Sequence, residues 1–269
     1  MCEFCTEHGD GKIWFKNAKN YADDLISDLE RRNYIKDFFQ STIEEGIVAI
    51  GRLETIYQKR GSVPTRVADK MISQAKIDHF GQVVTIEDIE AIVGNAATIV
   101  RLPCACRWVS TKKENRCCYA VSYSAEHWHD EMDMGYFGLA QSEGLEEMSK
   151  QKAIEQMRTL EDDGAVHTIW TMKTPFIGAI CNCTPQECLG LRTLSVDIET
   201  MFRGEEVAAV DGNRCSGCGM CENACHFNAI TSEYQSGDYK ACIDTQKCFG
   251  CGLCRNSCQE DAIAMMVRY

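Results

Sequence analysis

The chain has no apolar run of the roughly 18 residues that a membrane-spanning helix needs. Its nearest approach, Ile92 to Leu102, is short and broken by Asn95 and Arg101, so no bilayer span is expected. The start, Met1-Cys2-Glu3-Phe4-Cys5, lacks the basic and then apolar segments of a secretory leader, which makes a cytoplasmic location the expectation. Basic residues are in deficit, with 28 Lys and Arg against 40 Asp and Glu and a formal charge of -12. That balance argues against nucleic acid, whose phosphates demand a basic surface. It suits docking to a basic patch on a protein partner, and it also serves solubility. No G-x-G-x-x-G joins a strand to a helix, since Gly9-Asp10-Gly11 and Gly217-Cys218-Gly219 stand in other contexts. A flavin or nicotinamide would have to come from a partner.

What the chain has in excess is cysteine, 18 in 269 residues. A chain of this length builds a core without disulfide staples, and in a reducing compartment dense thiols mean metal binding or catalysis. The densest region is at the end. Cys215-Ser216-Gly217-Cys218-Gly219-Met220-Cys221-Glu222-Asn223-Ala224-Cys225 and Cys248-Phe249-Gly250-Cys251-Gly252-Leu253-Cys254-Arg255-Asn256-Ser257-Cys258 are both C-x-x-C-x-x-C-x-x-x-C, repeated at an offset of 33. Gly217 aligns with Gly250, Gly219 with Gly252, Asn223 with Asn256, and Ala229-Ile230 with Ala262-Ile263.

Residues 207–269 strongly resemble the bacterial-type ferredoxins that carry two 4Fe-4S clusters. The resemblance implies that each cubane takes three thiolates from one motif and the fourth from the other. One cluster would then be held by Cys215, Cys218, Cys221 and Cys258, the other by Cys248, Cys251, Cys254 and Cys225. Glycines between the ligands allow the loop to wrap closely and aim amide N–H groups at sulfur. Two departures stand out. His226 and Gln259 follow the fourth cysteines where the family usually has proline, and His226 admits either a proton-coupled role or plain solvation. Thr231 to Asp244 reads as a long linker with Cys242 as a spare thiol.

The fold class expected is α+β: a helical segment over 1–80, a small cysteine-rich mixed domain over 81–204 and the ferredoxin domain over 205–269. Asn17 to Arg60 has helical periodicity with a break near Asn33, ended by Gly61 and Pro64. Thr85-Ile86-Glu87-Asp88 opens a helix to about Gly94, and another helix spans Glu146 to Asp162. Strands are expected over Ala97 to Leu102, Tyr119 to Tyr123, Val166 to Met172 and Phe176 to Ile180.

Three of these strands deliver cysteines at one end, which predicts one shared site for Cys104, Cys106, Cys117, Cys118, Cys181, Cys183 and Cys188. A third Fe-S cluster, a structural zinc, or unligated thiols would each account for it. Cys2, Cys5 and His8 have metal-ligand spacing at a terminus. His127, His129 and Glu131 would share a strand face and could form a 2-His-1-carboxylate site, or simply a polar loop.

The leading functional expectation is an iron-sulfur electron-transfer protein, or redox subunit of an anaerobic oxidoreductase, serving a larger oxidoreductase or flavoprotein partner. A catalytic reductase acting through the N-terminal thiols, with catalytic residues unassigned, and a redox-sensing regulator are the alternatives.

Overall fold

The computed structural model describes residues 13–22, 25, 27–123, 128–235 and 237–268. The elements run α1 (Leu29–Asp37), α2 (Ile43–Arg60), α3 (Thr65–Asp78), β1 (Gly81–Val83), α4 (Ile86–Asn95), β2 (Thr98–Leu102), α5 (Ala105–Thr111), β3 (Cys118–Ser122), α6 (Gln141–Gly144), β4 (Glu146–Glu147), α7 (Lys150–Asp162), β5 (Val166–Thr171), β6 (Ile177–Cys183), α8 (Leu189–Leu194) and β7 (Met201–Phe202). The tail adds β8 (Glu206–Val210), α9 (Met220–Ala224), β9 (Ile230–Gln235), β10 (Asp238–Ile243), α10 (Leu253–Asn256) and β11 (Ile263–Val267).

A seven-stranded sheet of order β4-β2-β3-β6-β5-β1-β7 organises the described residues up to Phe202. Every pairing in it is antiparallel except β1 with β7. Side chains alternate between its faces with the period of two that a strand imposes. Ile99, Tyr119, Val121, Ile169 and Ile180 bury one face with Ile89 and Val93 of α4 and Ala153 and Met157 of α7. Val100, Leu102, Ala120, Trp170 and Ala179 bury the other with Ile35 of α1, Ile43 of α2, and Phe38 and Phe39 between those helices. The described part of the segment over 1–80 thus packs into the core of the sheet.

Several local expectations are corrected. No break occurs at Asn33, because Asp28 caps α1 by accepting from the Glu30 and Arg31 amides, and the chain passes through a π turn at Phe38–Thr42 straight into α2. The helix expected from Glu146 starts at Lys150. Glu146–Glu147 is a short edge strand, and the Ser149 hydroxyl caps the helix through the Lys152 amide. The cysteines expected beyond a strand ending at Ile180 lie inside β6. Thr231 to Asp244 is not a linker but mostly the hairpin β9–β10, with Cys242 opposite Thr231. Thr85 does cap α4, accepting from the Asp88 amide at 3.4 Å.

The tail pairs β8 with β11 and β9 with β10, and it is fastened to the sheet domain. Phe249 and Leu253 enter the same core as Val83 and Leu191. The Arg203 guanidinium lies 4.2 Å from the Phe249 ring centroid, and Arg255 pairs with Glu87 at 2.9 Å. His226, expected to be solvated or redox-coupled, is half-buried, with Nε2 2.7 Å from the Gly164 carbonyl oxygen. No described helix is long and apolar enough to cross a membrane.

Candidate metal centres

Strand register assembles the first site. Cys118 and Cys181 are direct partners across β3 and β6, which puts them on one face of the sheet, and their Sγ atoms are 3.6 Å apart. Cys183 follows two residues later on that same face. A turn at Thr184-Pro185 then brings the chain back, the Glu187 and Cys188 amides both donating to the Thr184 carbonyl, so that Cys188 meets the Cys183 thiol. On the other side β2 ends at Leu102, and Pro103 leads into Cys104, whose amide donates to the Asn115 carbonyl at 2.7 Å. Cys117 is held by Asn182, whose backbone and side-chain amides both donate to its carbonyl at 3.0 and 2.9 Å.

The Sγ atoms of Cys104, Cys117 and Cys183 all lie within 4.8 Å of one another, and all three residues are buried. Cys104 also interacts with the thiols of Cys106 and Cys118. The seven expected thiols therefore form one connected cluster, and none of them is paired in a disulfide. Donation from Cys106, and then from Cys117, Cys118 and Cys183, holds Cys104 well below the ordinary thiol range, while the Cys106 thiol is raised in return. Burial works against charge on Arg107, yet the Cys117 and Cys183 thiols and the Glu187 carboxylate, 2.6 Å from Nε, more than offset it and raise its pKa. A thiol cluster of this kind with a guanidinium alongside has, once a cation displaces the protons, the donor chemistry of a soft-metal site.

Two further sites lie in the tail. Cys215, Cys218, Cys221 and Cys258 line one small cavity with Ala262 and Ile263. Cys225, Cys248, Cys251 and Cys254 line the other with Ala229 and Ile230. Each thus gathers three thiols from one motif and one from the other, and Cys242 lines neither. The Ala229 amide donates to Cys225 Sγ at 3.4 Å and the Ala262 amide to Cys258 Sγ at 3.3 Å. Gly217, Gly219, Gly250 and Gly252 all have φ between +72° and +84°, the region that glycine enters without strain. Burial pushes the Cys251 thiol up and the Cys254 thiol up to about 12. Without a cation such thiols stay protonated, and a cationic centre releases those protons on binding. The residues fit an iron-sulfur cluster in each cavity.

Residues 214–262 match the family model of the 4Fe-4S dicluster domain. The end of the chain is a ferredoxin-like iron-sulfur domain, and 4Fe-4S clusters are its implied cofactors. The match covers less than half of the chain, and the sheet domain lies outside it. The chain is also 43% identical over 51 residues to small ribosomal subunit protein uS3c of Eucalyptus globulus subsp. globulus. That likeness covers 18% of this chain and 24% of the ribosomal protein, too small a share of either to carry an argument about function.

Cys2, Cys5, His8 and His127 lie outside the described residues. His129 and Glu131 do not share a strand face, because Trp128–Glu131 is a 3-10 turn that points buried His129 and partly exposed Glu131 apart, and Glu131 is paired with Arg32 at 2.6 Å. His167 is linked to the thiol site only through Asn182, a link the sequence does not reveal. It lies on β5 opposite Asn182, with Nδ1 2.5 Å from Oδ1, and no local spacing links the two.

Burial lowers the His167 pKa from 6.5 to about 4, and the bond to Asn182 opposes that only in part. A group with a depressed folded pKa contributes stability that is complete above its unfolded pKa and is lost as pH falls towards the folded value. Folding free energy is therefore expected to drop by up to ~3 kcal/mol between about pH 6.5 and 4 through this residue. His79, lowered to about 4 by burial, acts with the same sign. Denaturation midpoints of wild type and His167→Gln across that range check it, since the variant's curve should be flatter.

Proposed function

We propose that this protein is an iron-sulfur electron-transfer protein, or redox subunit of an anaerobic oxidoreductase, with two cubanes in the tail and a third metal centre in the sheet domain. Cys215, Cys218, Cys221 and Cys258 would hold one cluster, and Cys225, Cys248, Cys251 and Cys254 the other. The observation that carries this reading is the pair of cavities, each lined by four thiols drawn from both motifs. Bound clusters of this kind supply single-electron transfer at low potential.

The chain's own residues give the path a direction. Cys218 is exposed, so the cavity it lines faces solvent and a docking partner. Cys251 and Phe249 of the other cavity pack against the core that contains Cys104, Cys117 and Cys183. Electrons would pass from a redox partner to the outer tail site, then to the inner one, then to the seven-thiol cluster. The net charge of -12 suits a partner with a basic docking patch. The amides of Ala229 and Ala262 stabilise the crossing thiolates, and the apolar Ala-Ile pairs exclude water, which together tune the potentials.

Oxygen-free purification followed by iron, sulfide and zinc counting tests the reading. About twelve irons per chain are expected if the sheet domain holds a third cubane, and about eight with one zinc if it holds a structural ion. A colourless protein without iron would overturn it.

A further inference from the structure

The seven-thiol cluster is not sealed. Cys104, Cys106, Cys118, Cys181, Cys183 and Cys188 form the floor of a cavity of about 330 Å³ that opens between α2, α3 and α8. Thiolates can hold a metal centre only at that floor. Above it the walls are Phe38, Phe39, Trp170 and Met172, and the rim includes Ala49 of α2 and Met71 of α3, so that among the described residues His79 is the one strong metal ligand in the upper lining. A site for one ion or one cubane has no need of this upper space. The whole space, including the part at the floor that a metal centre would fill, lies at the small end of ligand pockets, which run from about 300 to 1,000 Å³.

One polar group on the wall stands out. His79 is stacked on Trp170 with ring centroids 4.7 Å apart, and it leans on Phe38 at 4.4 Å. Its Nδ1 lies 2.6 Å from the Thr171 carbonyl oxygen. A carbonyl only accepts, so Nδ1 carries the proton and the neutral ring keeps its lone pair on Nε2. Burial, which lowers this pKa to about 4, keeps the ring neutral. Nε2 makes no hydrogen bond to the described residues. The nearby hydroxyls are already engaged, as Thr193 donates to the Gly190 carbonyl at 2.7 Å and lies 2.9 Å from the Thr200 hydroxyl. The pocket therefore offers aromatic and aliphatic walls with a few polar groups, Thr42, Gln74 and His79 among them, and His79 Nε2 is the acceptor held between the Trp170 and Phe38 rings.

We propose that this pocket binds an uncharged one- or two-ring compound carrying an O–H or N–H, which donates to His79 Nε2 while the rings lie over the thiol floor. The occupant is a small molecule because the space is concave, narrow and lined on opposite sides by α2 and the sheet. It is uncharged because no Lys, Arg, Asp or Glu lines the cavity among the described residues. The inference goes beyond electron transfer, and it gives the seven-thiol cluster a ligand within reach.

The test uses the full chain, purified without oxygen, and two probes of the same size, 2-naphthol and naphthalene. Quenching of tryptophan fluorescence and titration calorimetry read the binding. Both probes are expected to saturate one site, with 2-naphthol bound about tenfold more tightly, the value of one hydrogen bond to a buried acceptor. His79→Phe keeps the ring stack and should remove that preference while leaving naphthalene affinity unchanged. Ala49→Trp, at an exposed rim position, should abolish binding of both. Iron content and far-UV circular dichroism matched to wild type show that each variant is folded and loaded. Absence of saturable binding by either probe, an undiminished preference in His79→Phe, or wild-type affinity in Ala49→Trp would each overturn the proposal. Iron content reads the electron-transfer function and probe affinity reads this one, so the two can fail separately.

Discussion

Alanine at Cys221 and Cys258 together is expected to remove about four irons, half of the tail's content, whereas alanine at Cys221 and Cys225 together should remove nearly all of it. The contrast follows from the crossing of the fourth ligands. Cys221 and Cys258 line the same cavity although they belong to different motifs, while Cys221 and Cys225 share a motif and line different cavities. Each double variant deletes two thiols from the same small domain, so a general loss of stability would move both equally. Iron and sulfide per chain, counted after anaerobic purification and supported by the cluster EPR signal, read the outcome. Loss of only half the iron from the same-motif pair would mean that each motif builds its own centre, and the crossed arrangement would be wrong. Cys242→Ala, on the hairpin and outside both cavities, should leave the iron unchanged.

The second large effect is expected at a glycine. Gly250 has φ +76°, and a Cβ there would strike the carbonyl oxygen of Glu206 on β8 and approach the Gly204 Cα at 3.4 Å. Neither neighbour is a side chain that can swing aside. Gly219 has nearly the same backbone, φ +74°, but nothing within 4 Å of its Cβ position. Gly219→Ala therefore meets only the cost of the left-handed conformation, about 1–2 kcal/mol. Gly250→Ala adds a backbone collision that must displace β8 or open the ligand loop, for a total of roughly 3 kcal/mol or more. Thermal midpoints under nitrogen and the half-time of iron release to a chelator should separate the two variants clearly. Equal losses would show that close packing of this loop on β8 contributes nothing.

How much of this was legible depended on the distance over which each feature is encoded. The α4 cap at Thr85, the strands β2, β3 and β5, and the doubled cysteine motif are all written in windows of a few residues, where side-chain periodicity and turn chemistry act directly. The false break at Asn33 arose because the apolar positions shift phase there. A π turn at Phe38–Thr42 absorbs that shift without ending the helix. The helix start misplaced at Glu146 has a related cause, because two glutamates that look helical are drawn into pairing with Val100 and Arg101 at the sheet edge. His226 read as solvated because nothing near it in sequence points to Gly164, its partner on a loop 62 residues away.

The spacing of the tail cysteines was enough to establish a repeated iron-sulfur motif, because three thiols within one short loop are brought together by the loop itself. Composition was likewise enough to establish an acidic, thiol-rich chain. One shared site for Cys104, Cys106, Cys117, Cys118, Cys181, Cys183 and Cys188 was expected from strands that deliver cysteines at one end, but the tertiary structure decided the contacts within it, since the register that sets Cys118 against Cys181 joins residues 63 apart. The tertiary structure alone placed His79 and Trp170 over those thiols, packed the inner tail cavity against the core that contains them and left Cys218 exposed. These arrangements come from sheet pairing and helix packing between distant segments, and such contacts leave no mark on local spacing.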